Sequence, residues 1–233
     1  MEHLTGQERA QYLRAMFDRI AKRYDLTNRL MTAGQDVRWR RRLLEKAKLP
    51  MSGLMLDLGT GTGDVPLEAL RAQTGLLSVG ADFSDGMLRA GRVRTGGSRV
   101  LWLSADAAHL PFSRDTFDAV TSAFLVRNVV DLDRVFSEQQ RVLRPGGNVV
   151  CLETTPIVSS SLRPALQFYL CRVIPFLGQI IAGDKAAYTY LSMSTDDFLS
   201  AESLAKCIRA AGFCDVAFQR MMFGTVVLHW GAK

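Results

Sequence analysis

Three glycines alternate within one short stretch of the chain, and an acid lies on each side of them. Gly59, Gly61 and Gly63 follow an apolar segment, with Asp57 before them and Asp64 directly after. Glycines lack the Cβ atom that would keep a bulky ligand away from the backbone. A dinucleotide-binding turn needs its third glycine where this chain has Asp64, so the spacing disfavours NAD. Neighbouring carboxylates suit the ammonium and sulfonium groups of S-adenosylmethionine, and the stretch therefore predicts a site for that cofactor.

Two further acids complete the predicted cofactor site. Asp82 comes about twenty residues after the glycines, where an acid can accept hydrogen bonds from both ribose hydroxyls. Asp106 follows the next apolar segment and precedes an apolar turn, which places it well for an adenine amino group. Ser84 is predicted to cap the helix that follows Asp82. The predicted cofactor-binding residues are Asp57, Gly59, Gly61, Thr62, Gly63, Asp82, Phe83, Met87, Asp106, Ala107 and Ala123.

An alternating α/β sheet would bring these motifs together at one edge. Hydrophobic periodicity predicts two early helices, five strands with helices between them, and then a last helix and a hairpin. The predicted helices are 7–23, 35–48 and 201–211, and the predicted strands are 53–58, 76–82, 100–104, 117–123, 147–154, 214–220 and 225–230. The pattern is that of the α/β, class I (Rossmann-like) methyltransferase fold, with a doubly wound sheet of seven strands. Residues 1–50 would form a helical N-terminal extension and residues 156–200 a helical cap insertion.

Composition agrees with a single enzyme domain over residues 1–233. The chain is 48% hydrophobic with a mean hydropathy of +0.05. No stretch reaches the roughly eighteen uninterrupted apolar residues of a membrane-spanning helix, and the polar first ten residues do not resemble a signal peptide. The four cysteines show neither metal-binding spacing nor the density of a disulfide scaffold. We therefore expect a cytoplasmic protein without a metal site.

The excess positive charge lies ahead of the glycines. Residues 1–50 hold 12 Lys and Arg against 6 Asp and Glu, whereas the remaining residues hold 17 of each, which accounts for the net charge of +6. Three interpretations stay open for this basic region: a solvated helix face, a contact with an anionic membrane surface, or a contact with nucleic acid. Nucleic acid is disfavoured because Ala123 and Phe124 stand where many base methylators carry an Asn/Asp-Pro-Pro-aromatic motif.

A series of separated motifs extends along nearly the whole chain. They comprise residues 17–21, 24–31, 110–112, 116–118, 124–129, 141–147, 152–155 and 183–191. Together they resemble the quinone-pathway C-methyltransferases, which act on demethylmenaquinone and on the equivalent ubiquinone precursor. The chain departs from that family at Thr27, Thr32 and Asp36, where Met, Ser and His are usual, and at Ala123, where Ser is usual. The resemblance implies C-methylation of a prenylated quinone, most simply of demethylmenaquinol to menaquinol.

The resemblance also implies an acceptor chemistry and the residues that perform it. An aromatic carbon attacks a sulfonium methyl group well only when its ring is electron-rich, so the acceptor should be the reduced quinol. Arg127 is expected to stabilise a phenolate or to orient a water molecule, with a structural ion pair as the alternative. The predicted catalytic residues are Arg127, Asn128 and Tyr24, and the predicted substrate-binding residues are Asn28, Asp184, Tyr188 and Tyr190.

The apolar run 168–182 suits a lipophilic partner. Because it contains Arg172 and the helix-breaking Pro175, we expect that it does not span a bilayer and that it lines a tunnel for a prenyl tail or lies against a membrane, with a buried pair of cap helices as the alternative. Trp39, Arg40 and Arg41 would then add electrostatic attraction to the inner face of that membrane. A homodimer also stays open.

Two other functions remain open on the sequence alone. One is methylation of another small aromatic or lipophilic acceptor. The other is a non-catalytic role as a cofactor-binding partner in a quinone-synthesis complex.

Overall fold

Seven strands form one sheet in the computed structural model, which describes residues 6–157 and 163–233. The strands are β1 (Leu54–Leu58), β2 (Leu77–Asp82), β3 (Val100–Ser104), β4 (Phe117–Ala123), β5 (Leu143–Thr154), β6 (Cys214–Met221) and β7 (Val226–Ala232). Their order is β3-β2-β1-β4-β5-β7-β6. The pairs from β3 to β5 are parallel, whereas β7 pairs antiparallel with β5 and β6. The predicted seven-stranded fold with its closing hairpin is confirmed.

Helices pack on both faces of this sheet. They are α1 (Gly6–Ile20), α2 (Tyr24–Met31), α3 (Gln35–Ala47), α4 (Asp64–Ala72), α5 (Asp85–Arg92), α6 (Leu132–Val142), α7 (Arg163–Phe168), α8 (Ile174–Ala182), α9 (Lys185–Asp196) and α10 (Ala201–Ala210). Successive strand residues face opposite sides, so Leu56 packs in the cluster with α6 and α10, whereas Met55 packs with α3 and α4. A third cluster joins α1 and α2 to α8 and α9. The N-terminal extension and the cap therefore pack against each other.

Two element boundaries differ from the prediction. A 3-10 turn at Ala21–Arg23 ends the first helix early, and α2 follows it as a separate helix. A separate α2 is hard to predict because Thr27 and Asn28 are weak helix formers. The burial of Thr27 and Met31 stabilises this helix instead. β5 begins at Leu143, rather than at residue 147, because Leu143 pairs with β4 across a register shift.

The helices α7 and α8 join into one continuous helix, here named the cap helix (Arg163–Ala182), through a π-helical stretch at Tyr169–Val173. The prediction that Pro175 breaks this helix is wrong. Proline lacks an N–H and its ring crowds the carbonyl four residues earlier, and the wider π-helical turn accommodates both effects.

The cap helix, at Arg163–Ala182, is longer than the apolar run 168–182 identified in the sequence. By length and composition alone it is sufficient to cross a membrane, and only 11% of its apolar window is buried. The cap helix therefore presents most of its apolar surface outside the core. Residues 158–162 of the predicted cap lie outside the described residues.

Candidate active site

Residues at the carboxyl ends of β1, β2 and β4 line the first of three cavities. This is the edge at which open α/β sheets bind their ligands. The predicted cofactor-binding residues in its wall are Asp57, Gly59, Gly61, Thr62, Asp82, Phe83, Met87 and Ala123. Five other wall residues had no predicted role in the site: Phe17, Thr60, Val65, Phe124 and Leu125.

The glycines of the turn serve different purposes. Gly61 has a φ of 56°, and a Cβ atom built on it would meet no protein atom within 4 Å, so this glycine leaves room in the first cavity. Gly63 has a φ of 85°, but its Cβ would lie 2.4 Å from the ring of Trp102. Gly63 does not line the cavity, so the structure supports a packing role for it rather than contact with the cofactor.

Two buried carboxylates define the electrostatics of this cavity. Asp82 accepts hydrogen bonds from the Gly61 N–H over 2.7 Å and from the Ser84 N–H over 2.8 Å, while Asp57 accepts one from Thr121 Oγ1 over 2.6 Å. Burial raises the pKa of Asp57 to about 7 and that of Asp82 to about 6. A ligand with cationic and hydroxyl groups would compensate for this lost solvation, so the residues fit S-adenosylmethionine.

A second cavity of about 550 Å³ adjoins the first and shares Asp82 and Phe83 with it. Asp106 and Ala107 lie in its wall, where the sequence analysis expects the adenine. Residues of α1 line the opposite side. The cofactor-binding residues predicted at 57–107 and at Ala123 therefore converge on two connected cavities, apart from Gly63.

Polar contacts hold α1 against the residues at the start of α5, beside the second cavity. Asp18 accepts hydrogen bonds from Ser84 Oγ over 2.6 Å and from the Gly86 N–H over 2.7 Å, and Arg14 forms an ion pair with Asp85. In the sequence, Asp18 is only one residue of the motif at 17–21. Its position at the N-terminus of α5, where Ser84 and Gly86 donate hydrogen bonds to it, becomes apparent only from the fold.

The third cavity, here named the cap cavity, has a volume of about 150 Å³ and lies between α2, α3 and the cap helix. Its apolar lining from the cap helix consists of Leu166, Tyr169, Leu170 and Ile174. Its polar lining includes Tyr24, Asn28, Asp36, Arg40 and Arg127. The cap cavity thus combines an apolar side with a cluster of hydrogen-bonding groups.

Three residues, Tyr24, Arg40 and Phe124, line both the first cavity and the cap cavity. A methyl group that moved from the first cavity to the cap cavity would pass these three residues. The Tyr24 hydroxyl is hydrogen-bonded to Asn28, and burial raises the pKa of Tyr24 although that bond and the charge of Arg127 act in the opposite direction. Tyr24 is therefore a protonated hydrogen-bonding group at the boundary.

Arg127 and Asn128 face different cavities. Arg127 lines the cap cavity, is ion-paired with Glu153 through Nη1, and has an Nε without a hydrogen-bond partner among the described residues. Asn128 lines the first and second cavities, and its Nδ2 donates to the Phe124 carbonyl over 3.2 Å. The structural ion pair considered for Arg127 is thus present, and the residue also lines the cap cavity.

Only one of the four predicted substrate-binding residues, Asn28, lines the cap cavity. Asp184 instead accepts from the Ala187 N–H as the N-cap of α9 and pairs with Arg19. Tyr188 is fully buried in the cluster between the extension and the cap, and Tyr190 donates to Asn128. Asp184, Tyr188 and Tyr190 line none of the three cavities, so the structure supports positioning and packing roles for them.

A chain of ion pairs connects α3 with the glycine turn. Arg40 is buried, pairs with Asp36 and places Nη2 2.9 Å from Asp64 Oδ2. Asp64 also pairs with Arg94 over 2.7 Å. Two arginines therefore already compensate its negative charge, and a cationic ligand is not needed for that purpose. The expected membrane role of Trp39, Arg40 and Arg41 does not fit these positions, because Trp39 and Arg40 are buried and Arg41 pairs with Glu68.

His229 of β7 lines none of the three cavities. Within residues 6–157 and 163–233, no group of three or more His, Cys, Asp and Glu side chains could hold a metal ion. His229 lies in β7 with Nε2 2.9 Å from the Ala201 carbonyl oxygen, and burial lowers its pKa to about 4. His229 is therefore a neutral packed residue.

Solved structures of low sequence identity share the fold. An S-adenosylmethionine-dependent methyltransferase from Thermotoga maritima is 21% identical, with a TM-score of 0.63 over 94% of this chain and 98% of that one. A phosphoethanolamine N-methyltransferase from Haemonchus contortus, solved with S-adenosylhomocysteine, is 18% identical, with a TM-score of 0.63 over 84% and 52%. Both confirm the class I methyltransferase architecture.

Sequence relatives identify the family. A ubiquinone/menaquinone biosynthesis C-methyltransferase from Desulfotalea psychrophila is 50% identical over 94% of this chain and 89% of its own. Demethylmenaquinone methyltransferases from Thermus thermophilus and Roseiflexus castenholzii are 43% and 39% identical, over 94% and 97% of this chain and 100% and 95% of their own. The profile of the ubiE/COQ5 methyltransferase family matches residues 5–233. The chain therefore belongs to the ubiE/COQ5 methyltransferase family and is an S-adenosylmethionine-dependent methyltransferase.

Proposed function

We propose that the chain methylates a ring carbon of a reduced, prenylated quinone, with demethylmenaquinol as the acceptor and menaquinol as the product. The observation that carries this proposal is the shared wall of the first cavity and the cap cavity, because the cap cavity can then serve as an acceptor pocket next to the predicted cofactor site. Relatives named as demethylmenaquinone methyltransferases align over almost the whole chain, which supports the same class of acceptor.

The reduced form of the acceptor follows from the chemistry of the transfer. S-adenosylmethionine, when bound, supplies an electrophilic methyl group on a positively charged sulfur. The acceptor carbon forms the new C–C bond while the S–CH₃ bond breaks with its electron pair going to sulfur, and the ring hydrogen leaves as a proton. A hydroquinone donates electron density from its hydroxyl oxygens to that carbon, whereas an oxidised quinone withdraws it.

The polar side of the cap cavity supplies the groups that this reaction requires. Arg127 lines the cap cavity, where its positive charge can stabilise the ring oxygen on which negative charge develops. Tyr24, kept protonated, donates to an acceptor oxygen, and Asn28 orients Tyr24. Because a guanidinium has no acceptor atom, the ring proton leaves to water rather than to Arg127. Asn128 acts on the cofactor side of the boundary.

The apolar side of the cap cavity suits the prenyl tail. The residues that line it come from the same helices whose outer faces are exposed: α2 exposes Leu26 and Leu30, and α8 exposes Phe176 and Ile180. Because α2 packs against α8, we infer that these four side chains contribute to one apolar surface, here named the lipid-facing surface.

Cations border the lipid-facing surface. Lys22 is exposed, and Arg23 is exposed while donating to the Ile181 carbonyl at the end of α8 over 2.6 Å. Apolar side chains with adjacent Lys and Arg are typical of surfaces that lie in an anionic membrane interface. The lipid-facing surface therefore supports a peripheral membrane contact through which the quinol reaches the cap cavity without leaving the lipid.

The proposed function is tested by an anaerobic methylation assay with a short-chain demethylmenaquinone in its reduced and its oxidised form. We expect labelled methyl transfer to the reduced acceptor and none to the oxidised one. Equal rates with both forms would contradict the mechanism, and no transfer to the quinol would contradict the acceptor. The prenylated benzoquinol precursor of ubiquinone serves as the competing acceptor, because the Desulfotalea psychrophila relative is named for both pathways; a higher kcat/KM for it would reassign the substrate.

A further inference from the structure

Phe124 combines two features that packing alone does not explain. Its φ is 61°, in the left-handed region, where a bulky residue is strained. Its side chain is only partly buried and contributes to the wall that separates the first cavity from the cap cavity. Strained residues that persist in a fold are concentrated at functional sites.

Backbone hydrogen bonds explain the turn at Phe124 but not the identity of its side chain. Its N–H donates to the Leu152 carbonyl over 2.7 Å, and its carbonyl accepts from Arg127 Nη1 and Asn128 Nδ2 over 3.2 Å each. Glycine or asparagine would make the same bonds at this φ with less strain. The position therefore holds phenylalanine for the sake of its ring.

The ring of Phe124 is held in place from two sides. Trp39, which is buried, meets it in an edge-to-face arrangement with a centroid distance of 6.4 Å and an interplanar angle of 64°. The guanidinium carbon of Arg127 lies 5.7 Å from the ring centroid. A ring supported in this way presents a fixed apolar surface to both cavities.

We infer that Phe124 contacts the acceptor ring and holds its reacting carbon against the methyl donor, an inference that rests on the proposed quinol methylation. Reaction requires the two reacting atoms to approach to about 3–3.5 Å with aligned orbitals, and an aromatic ring packs against a second ring in defined geometries. Its π-face also attracts positive charge, which lies on the donor sulfur before transfer. Phe124 thus acts as a catalytic contact residue that also keeps water away from the path of the methyl group.

The substitution Phe124→Leu isolates the ring from the backbone. Leucine keeps an apolar side chain and the same backbone strain, and it removes only the aromatic surface. With the reduced acceptor we expect kcat to fall by about tenfold, the scale of one aromatic contact, while S-adenosylhomocysteine affinity and the melting temperature stay near those of the unsubstituted protein. Phe124→Tyr retains the ring and should restore kcat.

A matched control exists in Phe223, which has a φ of 55°, is 66% exposed and lines none of the three cavities. Phe223→Leu should leave kcat unchanged. Full kcat in Phe124→Leu would overturn the inference while the proposed function stood, since the unsubstituted protein is active in the same assay. Should Phe124→Leu fail to fold, Phe124→Met is judged by the same comparison of kcat with cofactor affinity. Unfolding of both variants would assign Phe124 to folding and also overturn the inference.

Discussion

The hydroxyl of Tyr190, on the cap, donates a hydrogen bond of 3.0 Å to Oδ1 of Asn128, at the boundary between the first and second cavities. Arg9 of α1 approaches the same hydroxyl to 3.5 Å and donates to the Arg127 carbonyl over 3.1 Å. The cap therefore contacts Asn128 directly, whereas the N-terminal extension contacts its neighbours Tyr190 and Arg127.

Removal of this hydrogen bond should weaken cofactor binding. Tyr190→Phe leaves Asn128 free to rotate, and we expect S-adenosylhomocysteine affinity to fall by the worth of one hydrogen bond, roughly 0.5–1.5 kcal/mol. Isothermal titration calorimetry measures this. Tyr188→Phe is the control, because Tyr188 is buried away from the cavities and bonded to Thr27; it should lower the melting temperature and leave the affinity unchanged. Equal affinity losses in both variants would contradict the role of Asn128.

Asp82 should be the strongest single determinant of cofactor affinity. Asp82→Ala removes the acceptor for the ribose hydroxyls and releases the Gly61 and Ser84 N–H groups that it now binds. We expect a loss of roughly 1.5–3 kcal/mol in the binding free energy of S-adenosylmethionine. Asp133→Ala, which removes an exposed acid on α6 that lines none of the three cavities, should change the affinity little. Unaltered binding by Asp82→Ala would exclude Asp82 from the site.

The raised pKa values of Asp57 and Asp82 predict opposite pH dependences for stability and binding. Without ligand, the folded protein holds protons on these carboxyls up to about pH 6–7, whereas the unfolded chain releases them near pH 4. The free energy of unfolding should therefore decrease as the pH rises from about 4 to 7.

Cofactor affinity should increase over the same pH range. The cationic cofactor favours the ionised carboxylates, so its binding should release protons between about pH 5 and 7. Calorimetry in buffers of different ionisation enthalpy measures the number of protons released. Asp57→Asn should reduce that number, and a pH-independent affinity would show that these acids do not contact the cofactor.

Arg127 and Glu153 allow the catalytic and structural roles of the arginine to be separated. Arg127→Lys keeps a positive charge but loses the planar guanidinium with its Nε donor, so we expect turnover to fall by about 10²-fold with cofactor affinity preserved. Glu153→Gln breaks the buried ion pair but keeps the guanidinium, and should chiefly lower the melting temperature. A less stable Arg127→Lys enzyme with full turnover would leave Arg127 a structural role only.

The lipid-facing surface predicts binding to anionic vesicles. Replacing Phe176 and Ile180 together by Ser removes two exposed apolar side chains from α8, and sedimentation with phosphatidylglycerol vesicles should fall about tenfold or more, because each buried apolar side chain contributes roughly 1.5–3 kcal/mol. Leu101→Ser, at an equally exposed position on β3, should bind vesicles normally. Unchanged sedimentation of the double variant would remove this surface from the membrane contact.

The sheet could be predicted because its strands are short apolar runs bounded by turn residues. The carboxyl-end acids were also predictable, since Asp57 and Asp82 each end an apolar strand, and parallel strands bring such ends to one edge. Gly63 shows the limit of this reasoning. Its spacing suggested cofactor contact, but the neighbour that requires a glycine is Trp102, which lies far away in the sequence.

The cap residues could not be assigned correctly from the sequence. Tyr188 and Tyr190 lie two positions apart on α9 and are buried in the same cluster, but only the Tyr190 hydroxyl is hydrogen-bonded to Asn128. No local pattern distinguishes them, because the distinction depends on how α9 packs against α1 and α2. The position of Arg40 was mispredicted for the same reason. A run of basic residues indicates a solvated helix face, and only the fold brings Asp36 and Asp64 next to Arg40.

The polar contacts of α1 also govern how the enzyme exchanges its ligands. Asp18 and Arg14 fasten one side of the second cavity with charge, whereas the cap cavity is bordered by aliphatic side chains of the cap helix. Salt weakens the first kind of contact and detergent the second, so we expect the two to accelerate release of different products. If the proposed function holds, we expect the spent nucleoside to leave into water and the methylated lipid to return to the membrane, so that neither product has to wait for the other.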